Sequence, residues 1–498
     1  MTDKLETFRN LYGNQISSHL STACRALKRL ASATVFLFFI LLVVGVFILR
    51  IDVSVITKKQ KSSIEFQLKC PKKGIAKTCD SNYTVPFETP AFSDAKCPEY
   101  FRWIHEDLRP WKSSGISRDT LETARKFTDF RLVIVQGKLY VEQYQKSFQT
   151  RDLFTIWGFL QLLRLYPGRV PDLELMFGCG DTPIIQKRNH QGPNATLPPP
   201  LFQYCGHRDA LDIVFPDWSF WGWAETNIKP WENTLEGIIK GSKKIKWKNR
   251  VPYAYWRGNP YVSSNRGDLM RCKVSDKHDW NARLYRQDWA KEIKEGYKHS
   301  KLEDQCTHRY KIYIEGIGWS VSHKYILACD SMTLLIKPEF YDFFMRGMVP
   351  MQHYWPVRNT NKCRDIKFAV EWGNNHPRQA RAIGKGGSKF IKENLKMENV
   401  YEYMFHTLTE YAKLLKFKPK IPKGGVEMCL ESTACSKNGV WRKFMAESMI
   451  KSPSDTLPCS MPPPYDQHSL QAIFDTKENI TTQVVMLENE YWQSSNKN

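Results

Sequence analysis

Leu173-Glu-Leu-Met-Phe177 is an alternating apolar run that Gly178 and Gly180 bring to a stop. The next residue, Asp181, is thereby set at the tip of a strand and pinned by Thr182-Pro183. A packed core has no use for a carboxylate there, so the position calls for chemistry. A second stretch, "YAYWRGNPYVSSNRGDLMRC" (253–272), runs an aromatic strand into Arg257-Gly258-Asn259 and a polar loop carrying Arg266. Arginine presents a planar, permanently charged fork that matches phosphate oxygens, so two arginines around a Ser/Asn/Pro loop suit an anion. Either could equally be a surface ion pair.

In "IEGIGWSVSHKYILACDS" (314–331) a strand meets Gly316-Ile-Gly318, with Ser320 or Ser322 placed to cap a helix. Free N–H groups at such a start suit a diphosphate, although an ordinary strand-to-helix turn reads the same way. These glycines match neither the dinucleotide fingerprint nor the P-loop. "FPDWSFWGWAETNIKPWE" (215–232) gathers four tryptophans with Asp217 and Glu225. Aromatic faces beside carboxylates suit carbohydrate, while some of these rings must also be core. Glu339 and Asp342 in "EFYDFF" stand at i, i+3, one face of an expected short helix over 339–346. There is no Ser-His-Asp elbow. A distant pair of acids for glycoside hydrolysis stays open on spacing alone. The chain also lacks a D-x-D metal–diphosphate clamp.

The elements that must position these groups alternate strand and helix. Residues 131–144 read as two strands hinged at Gln136-Gly137, and 150–166 as a helix capped by Thr150 with Trp157, Leu160 and Leu163 on its buried side. From about 250 the rhythm repeats: a strand at 310–316, a helix at 320–329, a strand at 331–337, then helices from 364 to about 416. This is the pattern of parallel α/β units, and two such regions separated by 233–250 predict two doubly wound lobes. Ligands in these sheets bind beyond the carboxyl ends of the strands, where Asp181 is expected. The tail after 425 reads as an irregular appendage.

A chain of 498 residues holds more than one core. Its formal charge of +22 favours polyanions, nucleotide diphosphates or anionic membranes. Nucleic acid is disfavoured, because no zinc-finger spacing, basic heptad region or RNA-binding strand signature is present. "LASATVFLFFILLVVGVFIL" (30–49) is uncharged and long enough to cross ~30 Å of hydrocarbon. Basic clusters on both flanks leave its orientation open. Of the thirteen cysteines only Cys24 precedes the span, and the sequons at Asn82, Asn194 and Asn479 all follow it. With no C-x-x-C pair for a metal, this pattern predicts disulfides and glycans in an oxidising lumen. The expected order is a cytosolic tail (1–29), a transmembrane helix (30–49), a stem (50–96), an N-terminal lobe (97–240), a C-terminal lobe (241–425) and an appendage (426–498). That makes a single-pass type II protein of the Golgi or endoplasmic reticulum membrane.

In order, "GCGDTP", "FPDWSFWGW", "YWRGNP…NRGD", "GIGWSVSHKYILACDS" and "EFYDFFMRGMVPMQHYWPV" resemble the Rumi-type protein O-glucosyltransferase family, most of all its large plant branch. The resemblance runs from about residue 97 to 415. It implies a GT-B-like pair of Rossmann lobes around a UDP-sugar, inversion at the anomeric carbon, and no metal or other cofactor. It also implies that Asp181 is the catalytic base, as the aspartate of an Asp-x-Pro motif. Donor contacts carried over by it are Asn259 and Arg266 with the segment Ile317, Gly318, Trp319, Ser320, Val321 and Ser322. Glu339 is placed on the donor side as well. The acceptor surface becomes Arg151, Trp221, Glu225, Thr226, Asn227, Lys229 and Trp231. Two departures stand out: Ser322 replaces an arginine of the Gly-rich segment, with Lys324 or Arg257 as the candidate substitute, and Gly180 replaces the arginine before the catalytic aspartate. The expected activity is transfer of glucose or xylose to a protein or cell-wall polysaccharide hydroxyl. A non-catalytic glycan- or nucleotide-binding protein on the same fold is the alternative.

Overall fold

The computed structural model describes residues 91–193 and 195–495, with residues 67, 68, 70, 79, 87 and 88 before them. The expected membrane span and the sequons at Asn82 and Asn194 lie outside the described residues. No helix among the described residues is long and apolar enough to cross a membrane.

Two sheets organise the fold. In the first, β1 (Phe130–Val135) and β2 (Lys138–Gln143) form the expected hairpin, closed by Gln136 and Gly137 at φ of 51° and 72°. Two residues at positive φ make the turn whose twist matches the strands. β3 (Leu173–Phe177) pairs antiparallel with β1 and parallel with β4 (Leu201–Gln203), which pairs with β6 (Ile213–Val214). β13 (Val426–Met428) closes the far edge against β2, giving the order β13-β2-β1-β3-β4-β6. This corrects two expectations. The first sheet is mixed rather than doubly wound, and the C-terminal segment is built into it rather than appended irregularly. That segment ends in the 29-residue helix α9 (Gln467–Ser495), on which Asn479 is exposed.

The second sheet is all parallel, in the order β12-β10-β9-β7-β8. Its strands are β7 (Val251–Gly258), β8 (Ala282–Arg286), β9 (His308–Tyr313), β10 (Met332–Ile336) and β12 (Trp355–Val357). In chain order this is 2-1-3-4-5, so the winding reverses between β7 and β9. The crevice beyond their carboxyl ends is where such sheets bind ligands.

Helix α1 (Arg151–Leu165) covers the first sheet, Phe159 stacking on Phe215 and meeting Phe177 of β3 edge to face. Its burial is nearly all round, because later segments enclose it. Helix α2 (Trp231–Lys244) packs into the core through Trp231, and α3 (Ser264–Leu269), α4 (Trp289–Lys294) and α5 (Ser322–Leu327) frame the crevice. The predicted run of helices after 364 is α6 (Lys362–Asn375), α7 (Pro377–Asn394) and α8 (Met397–Ala412).

The expected helix at 339–346 is replaced by β11 (Phe340–Tyr341), paired antiparallel with β5 (Gly206–His207), and a 3-10 turn at Met345–Gly347. Tertiary partners decide this: Glu315 accepts the Glu339 and Phe340 N–H groups, and Asp342 accepts that of Met345. Among the described residues five disulfides join Cys70–Cys435, Cys79–Cys429, Cys97–Cys459, Cys272–Cys363 and Cys306–Cys329. They fit an oxidising compartment. The first three stitch the segment read as a stem, and the start of the body, to residues 429–459.

Candidate active site

Asp181 lies where the sequence put it, at the turn after β3. Arg151, the first residue of α1, reaches across and sets Nη1 3.1 Å from Asp181 Oδ1. The same nitrogen donates to the Cys179 carbonyl at 3.0 Å, and the guanidinium lies 4.5 Å over the Trp218 ring. Arg151 is buried, whereas the aspartate side chain is 43% exposed. A fixed cation thus orients one carboxylate oxygen while the group stays open to solvent. Thr150 stands at the N-cap of α1, but its hydroxyl is spent on both Glu225 carboxylate oxygens rather than on the helix.

The opposite wall is made at the switch point. Arg266 Nε donates to the Glu315 carbonyl at 2.8 Å, and Nη2 reaches Ser320 Oγ at 3.2 Å. Burial lowers its pKa, with Tyr313 and Glu315 opposing. Asn259 Oδ1 accepts the Tyr261 N–H, and the residue lines the cavity with Arg266. Ser320 shares a hydrogen bond with Ser322 at 2.8 Å. Neither serine caps α5: the N-cap is Val321, and Ser322 is already helical. Gly318 explains itself, because a Cβ there would lie 1.8 Å from the Asp181 carbonyl oxygen. The Gly-rich segment therefore rests directly on the aspartate turn.

Between the walls lies a cavity of about 830 Å³. It is in the range of pockets that enclose a ligand of nucleotide size. Asp181, Arg151, Glu225 and Thr226 line one side. Arg257, Asn259, Arg266 and the segment Ile317, Trp319, Ser320, Val321 and Ser322 line the other. Other expected residues stand elsewhere. Trp221 and Trp231 are core, their indole N–H groups donating to Tyr401 Oη and the Leu395 carbonyl. Asn227, Lys229 and Glu339 are exposed and outside the cavity wall. Lys324 is no substitute phosphate partner, since its Nζ is buried against Asp217 Oδ2 (3.1 Å) and Ser219 Oγ (2.7 Å). Burial pulls its pKa down and Asp217 opposes.

Several groups escaped the sequence reading. Trp218 and Trp223 line the cavity and supply the aromatic surface expected of the tryptophan-rich stretch. Lys311 and Gln287 also face it, on strands or strand ends whose side-chain direction only the sheet reveals. Glu315, two residues past the end of β9, is buried and accepts two N–H groups; burial pushes it up to about 7. The alternation along β9 signals the facing of Lys311, but only once the buried face is known.

A half-exposed carboxylate held by an arginine, facing arginines and a Gly-rich turn across a nucleotide-sized cavity, suits group transfer to a hydroxyl. Residues 92–488 match the model of glycosyl transferase family 90, and the chain belongs to that family and is a glycosyltransferase. It is 27% identical over 349 residues to an O-glucosyltransferase rumi homolog of Aedes aegypti, covering 67% of this chain and 83% of the relative. Protein O-glucosyltransferase 1 of Bos taurus is 26% identical and that of Homo sapiens 25%, each over 345 residues, 67% of this chain and 84% of the relative.

Proposed function

We propose that this glycosyltransferase inverts the anomeric carbon of a UDP-sugar without a metal, with Asp181 as base. The observation that carries the reading is the Asp181–Arg151 pair set against Arg257, Asn259 and Arg266 across one cavity. Arg151 holds Oδ1, and the other carboxylate oxygen takes the proton of the acceptor hydroxyl as that oxygen bonds to the anomeric carbon. The bond from that carbon to the diphosphate breaks, and its electron pair leaves on UDP. Arg257, Arg266 and the N–H groups around Ser320 stabilise the departing charge. The two sheets act as GT-B-like lobes, with the second carrying the donor. Glucose is the favoured sugar over xylose, because the relatives are O-glucosyltransferases. The acceptor is a protein or cell-wall polysaccharide hydroxyl, met on the side of Glu225, Trp223 and Thr226. The catalytic part lies in the lumen of the secretory pathway, on a type II protein of the Golgi or endoplasmic reticulum membrane, a reading that the disulfides support.

The test incubates the full chain with a panel of UDP-sugars, with and without chelator, and records UDP release beside Asp181→Asn. Release with one donor, indifferent to chelator and lost in the variant, is expected. Release that survives the substitution would mean another base. UDP binding without release from any donor, across a panel of protein and polysaccharide acceptors, would favour a binding protein on the same fold.

A further inference from the structure

The cavity wall holds an acid-free pair of cations. Lys311, in the middle of β9, is 4% exposed, yet it lines the cavity. Its ammonium donates to the Gln305 carbonyl at 3.0 Å, and among the described residues it makes no ion pair. Tyr255 of β7 sits opposite it in register, with its ring 5.0 Å from Nζ. Two residues further along β7, hence on the same face, is Arg257. Its Nη1 donates to the His299 carbonyl at 2.6 Å, and its Nε is buried without a partner. Main-chain carbonyls of one strap, residues 297–306, thus hold both cations.

The surrounding charges do not compensate them. Arg250, before β7, adds like charge, and together with burial it pushes Lys311 down to about 7. His308 on the same strand is pushed down to about 4, first by burial and then by Lys311, so it stays neutral. From α5 come Tyr325 and Lys324, the latter already paired with Asp217. Glu292, beneath the strap, accepts the His299 N–H. A buried cation without an acid is costly for a sheet that a methionine would pack as well. Of the other cations of the cavity, Arg151 has Asp181, and Arg266, which also lacks an acid, spreads its guanidinium over three main-chain carbonyls and Ser320 Oγ, whereas Lys311 and Arg257 have one carbonyl each.

We propose that Lys311 and Arg257 form an anion subsite in the cavity wall that takes an oxygen of the donor's diphosphate. This rests on the donor reading above. An anionic oxygen at Nζ restores the charge that burial disfavours, so binding of the nucleotide half of the donor draws a proton onto Lys311 near neutral pH.

Calorimetric titration of the full chain with UDP, and with uridine as the phosphate-free control, tests it. Lys311→Met is expected to weaken UDP about tenfold at about pH 6. The gap between wild type and variant should narrow toward about pH 8.5, where Lys311 is neutral in the empty protein. Uridine should not distinguish the two proteins. Removing a buried charge should leave the melting temperature unchanged or higher. The wild type alone provides a second reading: at about pH 7.5, UDP binding should take up part of a proton, seen as a dependence of the heat on buffer ionisation. Equal UDP affinity of wild type and variant at low pH, no proton uptake, or an equal loss for uridine would each overturn the subsite. Failure of UDP to bind the wild type would overturn the donor reading with it. Binding that Arg266→Ala weakens and Lys311→Met does not would overturn the subsite alone.

Discussion

Two aspartate–cation pairs, Asp181–Arg151 and Asp217–Lys324, stand at the same 3.1 Å separation. Asp181 with Arg151 leaves the carboxylate 43% exposed, and Asp217 with Lys324 leaves both partners at 6% or less. Equal distance does not make equal function. In the first pair the cation is buried and fixed while the acid faces the cavity, so the acid can exchange a proton with an incoming hydroxyl. In the second, Asp217 also accepts the Ser219 N–H, and Lys324 also donates to Ser219 Oγ. That closed network joins α5 to the tryptophan-rich turn at Trp218–Phe220. Exposure of the acid, rather than the contact, separates chemistry from architecture.

The largest expected effect breaks the first pair. Asp181→Asn should lower transfer by ~10²- to 10⁴-fold, the usual share of a general base, while UDP affinity and melting temperature hold. Steady-state UDP release with an acceptor, beside a thermal melt, reads both. A variant that loses stability along with activity would put Asp181 in the same class as Asp217.

The second pair should fail in the opposite sense. Asp217→Asn leaves a buried lysine uncompensated and should cost about 3–5 kcal/mol in denaturant unfolding. Adding Lys324→Met should recover part of that loss, because the orphaned charge goes with it. If the double variant is no more stable than the single, Lys324 is not what the aspartate compensates.

This division was half legible in the sequence. Asp181 announced itself because glycines and a proline isolated it at the end of an apolar run. The parallel sheet was legible too, since each strand–helix step around "YKIYIEG" and "SMTLLIK" is local. The partners were not. Nothing near Lys324 signals Asp217, 107 residues away, and nothing in 339–346 signals β5, which turns an apparently helical stretch into a strand. The antiparallel edge at β13 and the Cys70–Cys435, Cys79–Cys429 and Cys97–Cys459 disulfides join residues hundreds apart, so their cause is tertiary. The tryptophans divided by place and not by burial: Trp221 and Trp231 are core away from the cavity, whereas Trp218, also buried, and the part-buried Trp223 form its wall.

A smaller effect sharpens the role of the first pair. Gly318→Ala places a methyl against the Asp181 backbone, where a Cβ would sit 1.8 Å from the carbonyl oxygen, so the turn or the Gly-rich segment must shift. A displacement near 1 Å at a reacting group costs on the order of a hundredfold in rate. Transfer should fall by up to that amount, with UDP affinity and stability changing less. Unchanged transfer would mean that the contact between the walls does not position the base.

Glu315 supplies the last and smallest test, an acid in the same crevice that has two N–H partners and, among the described residues, no ion pair. Burial raises it to about 7, above its ordinary value of 4.5, with the Glu339 and Phe340 N–H groups and Arg266 opposing. The folded state therefore holds this proton more tightly than the unfolded chain. Its contribution is fully present below about 4.5 and is lost as pH rises through about 7, on the order of 3 kcal/mol in all. Glu315→Gln keeps an oxygen for the N–H groups and cannot ionise, so its melting temperature should gain on that of the wild type across that window. Parallel melting curves would mean that two N–H groups satisfy this carboxylate without a cation. Only burial, and not the missing partner, would then separate it from Asp181.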